Sequence, residues 1–364
     1  MPTAHVTNRK TRYQEMIDAL RGDITSGQLL PGARLPSFSE MRESQGASQT
    51  TVLRVYAQLE QEGLIRREPG RGIFVKAPSS IKTGRIGFIG TAFSHRRNLS
   101  YSAHVVEGLE SIIQREELRI LLLDSNSTLG YDTVDGILLN DPEPEKVIPH
   151  LPAGMPCVAL TVRCEGVANV LPDDHRGAKQ AVRQLVRLGH RRIGGIMQLS
   201  TRVIPQRIAG YSEGLEEAGI VASGSWMRIW PGHTSAEGYR GWGETGMSSW
   251  FEEGFADLGC TALIVQNDIA AVGVIAALRK AGYDVPRDVS VISFDGTDVC
   301  DYHSPTIAAM EVPLREMGVT ATELLLRQIR ERRGEPLSIL LPMRFKDGES
   351  LAGPQNSIFH QGGA

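Results

Sequence analysis

The chain has 364 residues, enough for two or three domains, and it is 41% hydrophobic and 22% charged, which suits ordinary globular packing. No apolar run approaches the roughly 20 residues that span a bilayer, and Met1 to Lys10 lack the apolar core of a signal peptide, so no membrane partner and a cytoplasmic location are expected. The net charge of −3 is unevenly placed: residues 1–76 hold eleven Lys/Arg against eight Asp/Glu, a net of +3, while the remainder carries −6, which favours a nucleic-acid contact at the amino-terminal end.

In chain order, Tyr13, Met16, Ile17, Leu20 and Ile24 recur at helical spacing, and Gly27 ends that helix. Ser37 followed by Glu40 forms a capping box that starts a second helix, kept short by Gly46. Ser48 caps a third helix whose apolar face is Val52, Val55, Tyr56 and Leu59, and whose first turn presents Gln49, Thr50 and Thr51 outward. Two short helices joined by a tight glycine-containing turn are a helix-turn-helix, and the second helix of such a pair enters the major groove by its amino-terminal residues. Leu64–Glu68 and Gly72–Val75 then flank a Pro69-Gly70-Arg71 turn, a hairpin wing with Arg71 at its tip for phosphates or a minor groove.

The runs YQEMIDALRGDITSGQLLPGARLPS and ASQTTVLRVYAQLEQEGLIRREPGRGIFV resemble the GntR-family winged helix-turn-helix domain over residues 12–76. The resemblance implies a homodimer reading a short palindromic double-stranded DNA operator. The candidate DNA-binding residues are Ser37, Ser48, Gln49, Thr50, Thr51, Arg54 and Arg71, with Ser37 and Ser48 also acting as caps. Three positions at which the family usually has arginine hold Ser39, Gln49 and Leu53, so an atypical operator is expected. Gln49 suits a bidentate contact with adenine.

Residues 77–84, polar and rich in Pro, Ser and Gly, read as a linker. From Arg85 strands alternate with helices: strands at 86–90, 120–123, 134–139, 157–160, 193–197, 262–265 and 289–294, and helices at 105–113, 179–188 and 270–281. That alternation predicts parallel sheets covered by helices, with ligands at the carboxyl ends of the strands. The nine residues Ser125–Thr133 are short for a parallel crossover between the strands at 120 and 134, which leaves a remodelled lobe or a different strand pairing open.

The segments DDHRGAKQAVRQLVRLGHRRIGGI, QRIAGYSEGLEEAGI, LIVQNDIAAVGVIAALRKAGYDVPRDVSVISFDGT and SPTIAAMEVPLREMGVTATELLLRQI look like the LacI/GalR effector-binding domain, over about residues 85–352. The resemblance implies two periplasmic-binding-protein-like α/β lobes, a cleft for a small-molecule effector, most often a sugar, and dimerisation through this domain. It implies effector contacts from Arg207, Asn267, Asp268 and Asp295, and further ones from His233, Ser94 and Tyr101. It also implies a hinge helix before the body, for which 77–84 has no helical pattern; ligand control is then expected to act through dimer geometry or domain spacing. His190, after the helix-ending Gly189, is expected to be structural.

The expected architecture is therefore α/β: a winged helix-turn-helix at 1–76, a linker at 77–84, a two-lobed domain with parallel sheets at 85–352 and a tail at 353–364. No Walker motif, Gly-x-Ser-x-Gly or His-Glu-x-x-His occurs, and Cys157, Cys164, Cys260 and Cys300 form no Cys-x-x-Cys pair, so neither an enzyme nor a metal or other cofactor is expected. The reading is a transcription regulator, a repressor, controlled by a sugar-like ligand; a ligand sensor without specific DNA binding is the alternative.

Overall fold

The computed structural model describes residues 11–355 except 26, 27, 31, 63, 76–82, 91–98, 142, 199–201, 231–237 and 332–334. The chain divides into two compact units, Met1–Lys82 and Thr83–Ala364. Gly27 and most of the 77–84 segment lie outside the described residues.

In the first unit, α1 (Arg12–Thr25) buries Met16, Ile17 and Ile24. The capping box forms: the Ser37 hydroxyl accepts from the Glu40 backbone N–H at 3.3 Å, and the Ser37 N–H donates to the Glu40 carboxylate at 2.6 Å. It opens α2 (Phe38–Gln45), which Gly46 ends in the left-handed region at φ +57°. Ser48 then caps α3 (Gln49–Gln61) by accepting from the Thr51 N–H. Val52, Val55, Tyr56 and Leu59 of α3 are fully buried, and the Tyr56 hydroxyl donates to the Pro36 carbonyl at 2.7 Å. The wing is the antiparallel pair β2 (Ile65–Glu68) and β3 (Gly72–Val75). A two-residue strand unforeseen from the sequence, β1 (Arg34–Leu35), extends it by pairing with β3.

The second unit is two six-stranded sheets, one per lobe. The first lobe holds β4 (Arg85–Gly90), β5 (Arg119–Leu123), β6 (Gly136–Asn140), β7 (Cys157–Leu160), β8 (Ala168–Pro172) and β14 (Ser338–Leu341), in the order β14-β8-β7-β6-β4-β5 and all parallel. The second holds β9 (Ile193–Gln198), β10 (Met227–Trp230), β11 (Ala262–Val265), β12 (Ser290–Asp295), β13 (Ala308–Glu311) and the antiparallel edge β15 (Arg344–Lys346), in the order β10-β9-β11-β12-β13-β15. The helices are α4 (Leu99–Arg115), α5 (Pro144–Val147), α6 (Asp174–Arg187), α7 (Ile204–Glu217), α8 (Gly238–Glu252), α9 (Phe255–Leu258), α10 (Asp268–Lys280), α11 (Val299–Tyr302) and α12 (Leu314–Glu331). The chain thus combines a mixed α/β unit with parallel sheets and a separate helix-turn-helix unit.

The short crossover is resolved by topology. β4 lies between β5 and β6, pairing Ile86 with both Ile120 and Gly136, so the 120 and 136 strands are not neighbours. The connection spans β4 without an α-helix. It uses a single 3-10 turn, Tyr131–Thr133, whose buried Tyr131 packs with Ile89, Val134, Ile137 and Leu139 and donates its hydroxyl to the Asp124 carbonyl at 3.0 Å. The lobe is thus locally remodelled: one aromatic side chain covers sheet surface that a crossover helix would otherwise cover.

Helix pairs in both lobes touch backbone to backbone at glycines. A Cβ on Gly108 of α4 would stand 2.1 Å from the Arg315 carbonyl oxygen, and one on Gly318 of α12 would stand 2.2 Å from that of Val105. Gly243 of α8 and Gly273 of α10 make the same reciprocal approach to Ala270 and Arg240. These contacts seat the helices close over the sheets and fix where their amino-terminal ends emerge, at the carboxyl ends of the strands.

Candidate functional site

In the first unit, α3 turns its amino-terminal residues and one long face outward. Gln49, Thr50, Leu53, Arg54 and Ala57 are exposed, opposite the buried Val52, Val55, Tyr56 and Leu59. Ser37, Ser48 and Thr51 are occupied in capping: the Ser48 and Thr51 hydroxyls lie 2.9 Å apart as a hydrogen-bonded pair. Arg54 stacks over the Tyr13 ring of α1, 5.2 Å from its centroid. On the wing, Glu68 bridges two cations, with one oxygen 3.0 Å from Arg66 and the other 3.0 Å from Arg71. Arg71 is 78% exposed, so this pair is a surface contact that a phosphate can replace at little cost. Arg67 pairs with Glu60 of α3 at 3.0 Å and lies over the Phe38 ring, tying the wing to both helices.

In the second unit, polar groups converge where strands end and helices begin. Arg207 of α7 is 5% exposed; its Nε donates to Asp174 at 2.6 Å and its Nη1 to the Gln266 carbonyl at 2.5 Å, while its guanidinium covers the Phe294 ring 4.0 Å from the centroid. Burial drives the Asp174 carboxyl upward, and Arg207 opposes it. Asn267 caps α10, its side-chain oxygen accepting from the Ala270 N–H at 2.8 Å; among the described residues its side-chain NH2 makes no hydrogen bond. Asp295 ends β12 at φ +95°, a left-handed conformation that is strained for a side-chain-bearing residue and characteristic of ligand sites. Thr161, at the end of β7 in the other lobe, holds a similar φ of +66° and donates its hydroxyl to Asn140 at 2.8 Å.

Tyr101 of α4, from the first lobe, lies among these second-lobe groups. Burial holds its phenol well above the usual range, the charges of Asp295 and Asp174 push the same way, Arg207 opposes them, and Tyr239 at the start of α8 adds to the rise. Two polar contacts also join the lobes: the ion pair of Arg202 with Glu145, and the His104 Nε2, which lies 3.6 Å from the Asp298 carboxylate.

The structure thus brings together Arg207, Asn267, Asp295 and Tyr101 of the residues anticipated from sequence. Asp268 is a correction. It is 1% exposed, one oxygen accepts from the Ser293 hydroxyl at 2.6 Å, and the other accepts from the Thr297 N–H and hydroxyl at 2.7 and 2.8 Å. With both oxygens consumed inside the protein, it braces the β12–α11 turn rather than facing a ligand. His233 and Ser94 lie outside the described residues. Asp174 and Tyr239 were not anticipated; the only signal for Asp174 was its place in the Asp173-Asp174 pair that opens α6. His190 is structural: it is 1% exposed, with Nδ1 2.9 Å from the Thr261 hydroxyl and Nε2 2.8 Å from the Ala352 carbonyl. The four cysteines are buried thiols, and no described helix is long and apolar enough to cross a membrane.

Residues 12–75 match the family of bacterial regulatory proteins called gntR, and residues 182–351 match a periplasmic binding protein-like domain. The chain is a GntR-type helix-turn-helix domain fused to a periplasmic-binding-protein-like domain. The fusion is similar to an arabinose metabolism transcriptional repressor of Geobacillus stearothermophilus, 23% identical over 343 residues that cover 88% of this chain and 92% of that one. It is also similar to the HTH-type transcriptional repressor PurR of Yersinia enterocolitica, 28% identical over 287 residues, 74% of this chain and 80% of that one. Among solved structures, a complex of the transcriptional regulator CelR with cellobiose shares the fold over 94% of this chain and all of that one, at 21% identity and a TM-score of 0.61. A LacI-family regulator of Enterococcus faecium with bound ribose shares it over 74% of this chain and all of that one, at 24% identity and a TM-score of 0.61.

Proposed function

We propose that the chain is a cytoplasmic, dimeric transcription repressor that binds a palindromic DNA operator through its winged heads and releases it when a small hydroxylated ligand, a sugar, enters the cleft of the second unit. It has no catalytic role. In this reading Gln49 and Thr50 contact bases, while Ser37, Ser48, Thr51, Arg54 and Arg71 contact or position the backbone. Arg207, Asn267 and Asp295 hold ligand hydroxyls, with Tyr101 closing from the other lobe and Ser94 and His233 completing the set. The two curated relatives, both transcriptional repressors, support the regulatory reading.

The observation that carries it is the Arg207–Asp174 pair beside Asp295 and Asn267. The pair fixes a guanidinium whose remaining N–H groups can donate while an acid and an amide lie close by, a mixed donor and acceptor set that suits neighbouring hydroxyls. Ligand that binds one lobe arrangement better shifts the equilibrium toward it, and DNA and ligand then change each other's affinity by the same factor.

The test is selection of bound DNA from a random pool by the full chain, followed by titration of the enriched site with and without sugars. An enriched palindrome whose affinity falls when a sugar is added supports the reading. Failure to enrich any sequence, with sugar binding intact, leaves the sensor without specific DNA binding, a reading favoured by Ser39, Gln49 and Leu53 at positions where arginine is usual in the family.

A further inference from the structure

The outward face of α3 carries an apolar stripe that the fold does not use. Thr50, Leu53 and Ala57 follow one another at helical spacing directly opposite the buried side, and Leu53 is 40% exposed. A single exposed leucine on a protein surface calls for no explanation. This one continues the turn that presents Gln49 and Thr50, has an exposed alanine one turn beyond it, and shares the face with one cation, Arg54, which is drawn aside onto the Tyr13 ring. The face is therefore apolar at its centre on the helix that the GntR-type domain directs at DNA. In the major groove the apolar group that identifies a base is the C5 methyl of thymine.

We propose that Leu53, flanked by Ala57, reads thymine methyl groups in each operator half-site, next to the base contacted by Gln49 or Thr50. The inference rests on the DNA-binding reading above. It specifies a half-site that places thymine opposite the middle of α3, where an arginine would call for guanine. Because Leu53 is held by no partner in the hydrophobic core of the head, its substitution tests readout without dismantling the fold.

The experiment uses the full chain and the DNA site it enriches. Each enriched thymine is replaced by uracil, which lacks only the methyl group, and affinities are compared for the native chain, Leu53→Ala and Leu53→Arg, with thermal melts to verify folding. The native chain should lose about fourfold in affinity per contacted methyl. Leu53→Ala should discriminate thymine from uracil less than the native chain does, and Leu53→Arg should enrich guanine at that position. Undiminished binding of the native chain to every uracil site, or unchanged thymine discrimination in Leu53→Ala, overturns the inference while leaving DNA binding intact. Failure to enrich any site overturns the DNA-binding reading itself, and the inference with it.

Discussion

Asp174 accepts a hydrogen bond from Arg207 at 2.6 Å, and both side chains are more than nine-tenths buried. They come from the first turns of α6 and α7, so the pair locks together the two helices whose ends border the proposed cleft. Buried pairs of this kind add little net stability but are costly to break, because the survivor is left as an unpaired charge.

Arg207→Ala should therefore destabilise the second unit by about 3–5 kcal/mol, seen as a lower urea midpoint, and abolish ligand-induced stabilisation. Asp295→Asn separates binding from folding. Asparagine tolerates the left-handed backbone that Asp295 adopts, so the melting temperature of the unbound protein should hold while the shift on adding ligand disappears. A stable Asp295→Asn variant with the full ligand shift would remove Asp295 from the site.

The Glu68 bridge gives a prediction of opposite sign for the wing. Arg71→Ala should weaken DNA binding across all sequences and lower the dependence of log K on log salt by about one per head. Glu68→Gln frees Arg66 and Arg71 together and should strengthen binding, most visibly at low salt. Salt titrations of both variants by anisotropy check this; a weaker Glu68→Gln complex would show that the wing cations do not reach phosphate.

Capping and reading are separable in α3. Ser48→Ala removes the acceptor for the Thr51 N–H and should cost the head about 1 kcal/mol. Gln49→Ala removes an exposed side chain, and should leave the melting temperature unchanged while relaxing the base preference at one operator position. Melting curves and selection experiments on the two variants should thus move in opposite columns.

His190 sets an acid limit on the second unit. Burial lowers its pKa below the ordinary 6.5, and the hydrogen bond of the ring to the Ala352 carbonyl opposes that only in part. In the unfolded chain it takes up a proton near pH 6.5, whereas in the folded chain it stays neutral to lower pH. The unfolded state then binds more protons, so this contribution is whole above pH 6.5 and drains away as the pH falls from 6.5 through the lowered folded value. Urea midpoints between pH 7.5 and 5 should decline, and His190→Gln should flatten that part of the slope.

The head was legible because its signals are local. Ser37, Glu40, Gly46 and Ser48 each announce a helix end by chemistry within four residues, and the α3 core positions follow from periodicity alone. Only β1 escaped, since a two-residue strand has no pattern and owes its existence to Phe74 and Ile73 across the ladder. The body was less legible for the opposite reason. α8 contains Gly238, Gly241, Gly243 and Gly246, which weaken an isolated helix by about 1 kcal/mol each, and it forms because Gly243 lets it rest against the Ala270 carbonyl. At the site, Arg207 and Asp295 were reachable through family resemblance. Asp174 and Tyr239 depend on which helix starts meet in space. Asp268 looked equivalent to Asn267 in sequence, and only the inward positions of Ser293 and Thr297 separate them.

The central claim, that a ligand in the cleft controls a DNA-reading head, is tested most directly by fluorescence anisotropy of the full chain on its selected operator, titrated with a sugar that raises its melting temperature. The account predicts a loss of operator affinity on adding the sugar, an equal loss of sugar affinity on adding the operator, and neither effect in Asp295→Asn. Sugar binding that leaves operator affinity unchanged would contradict it.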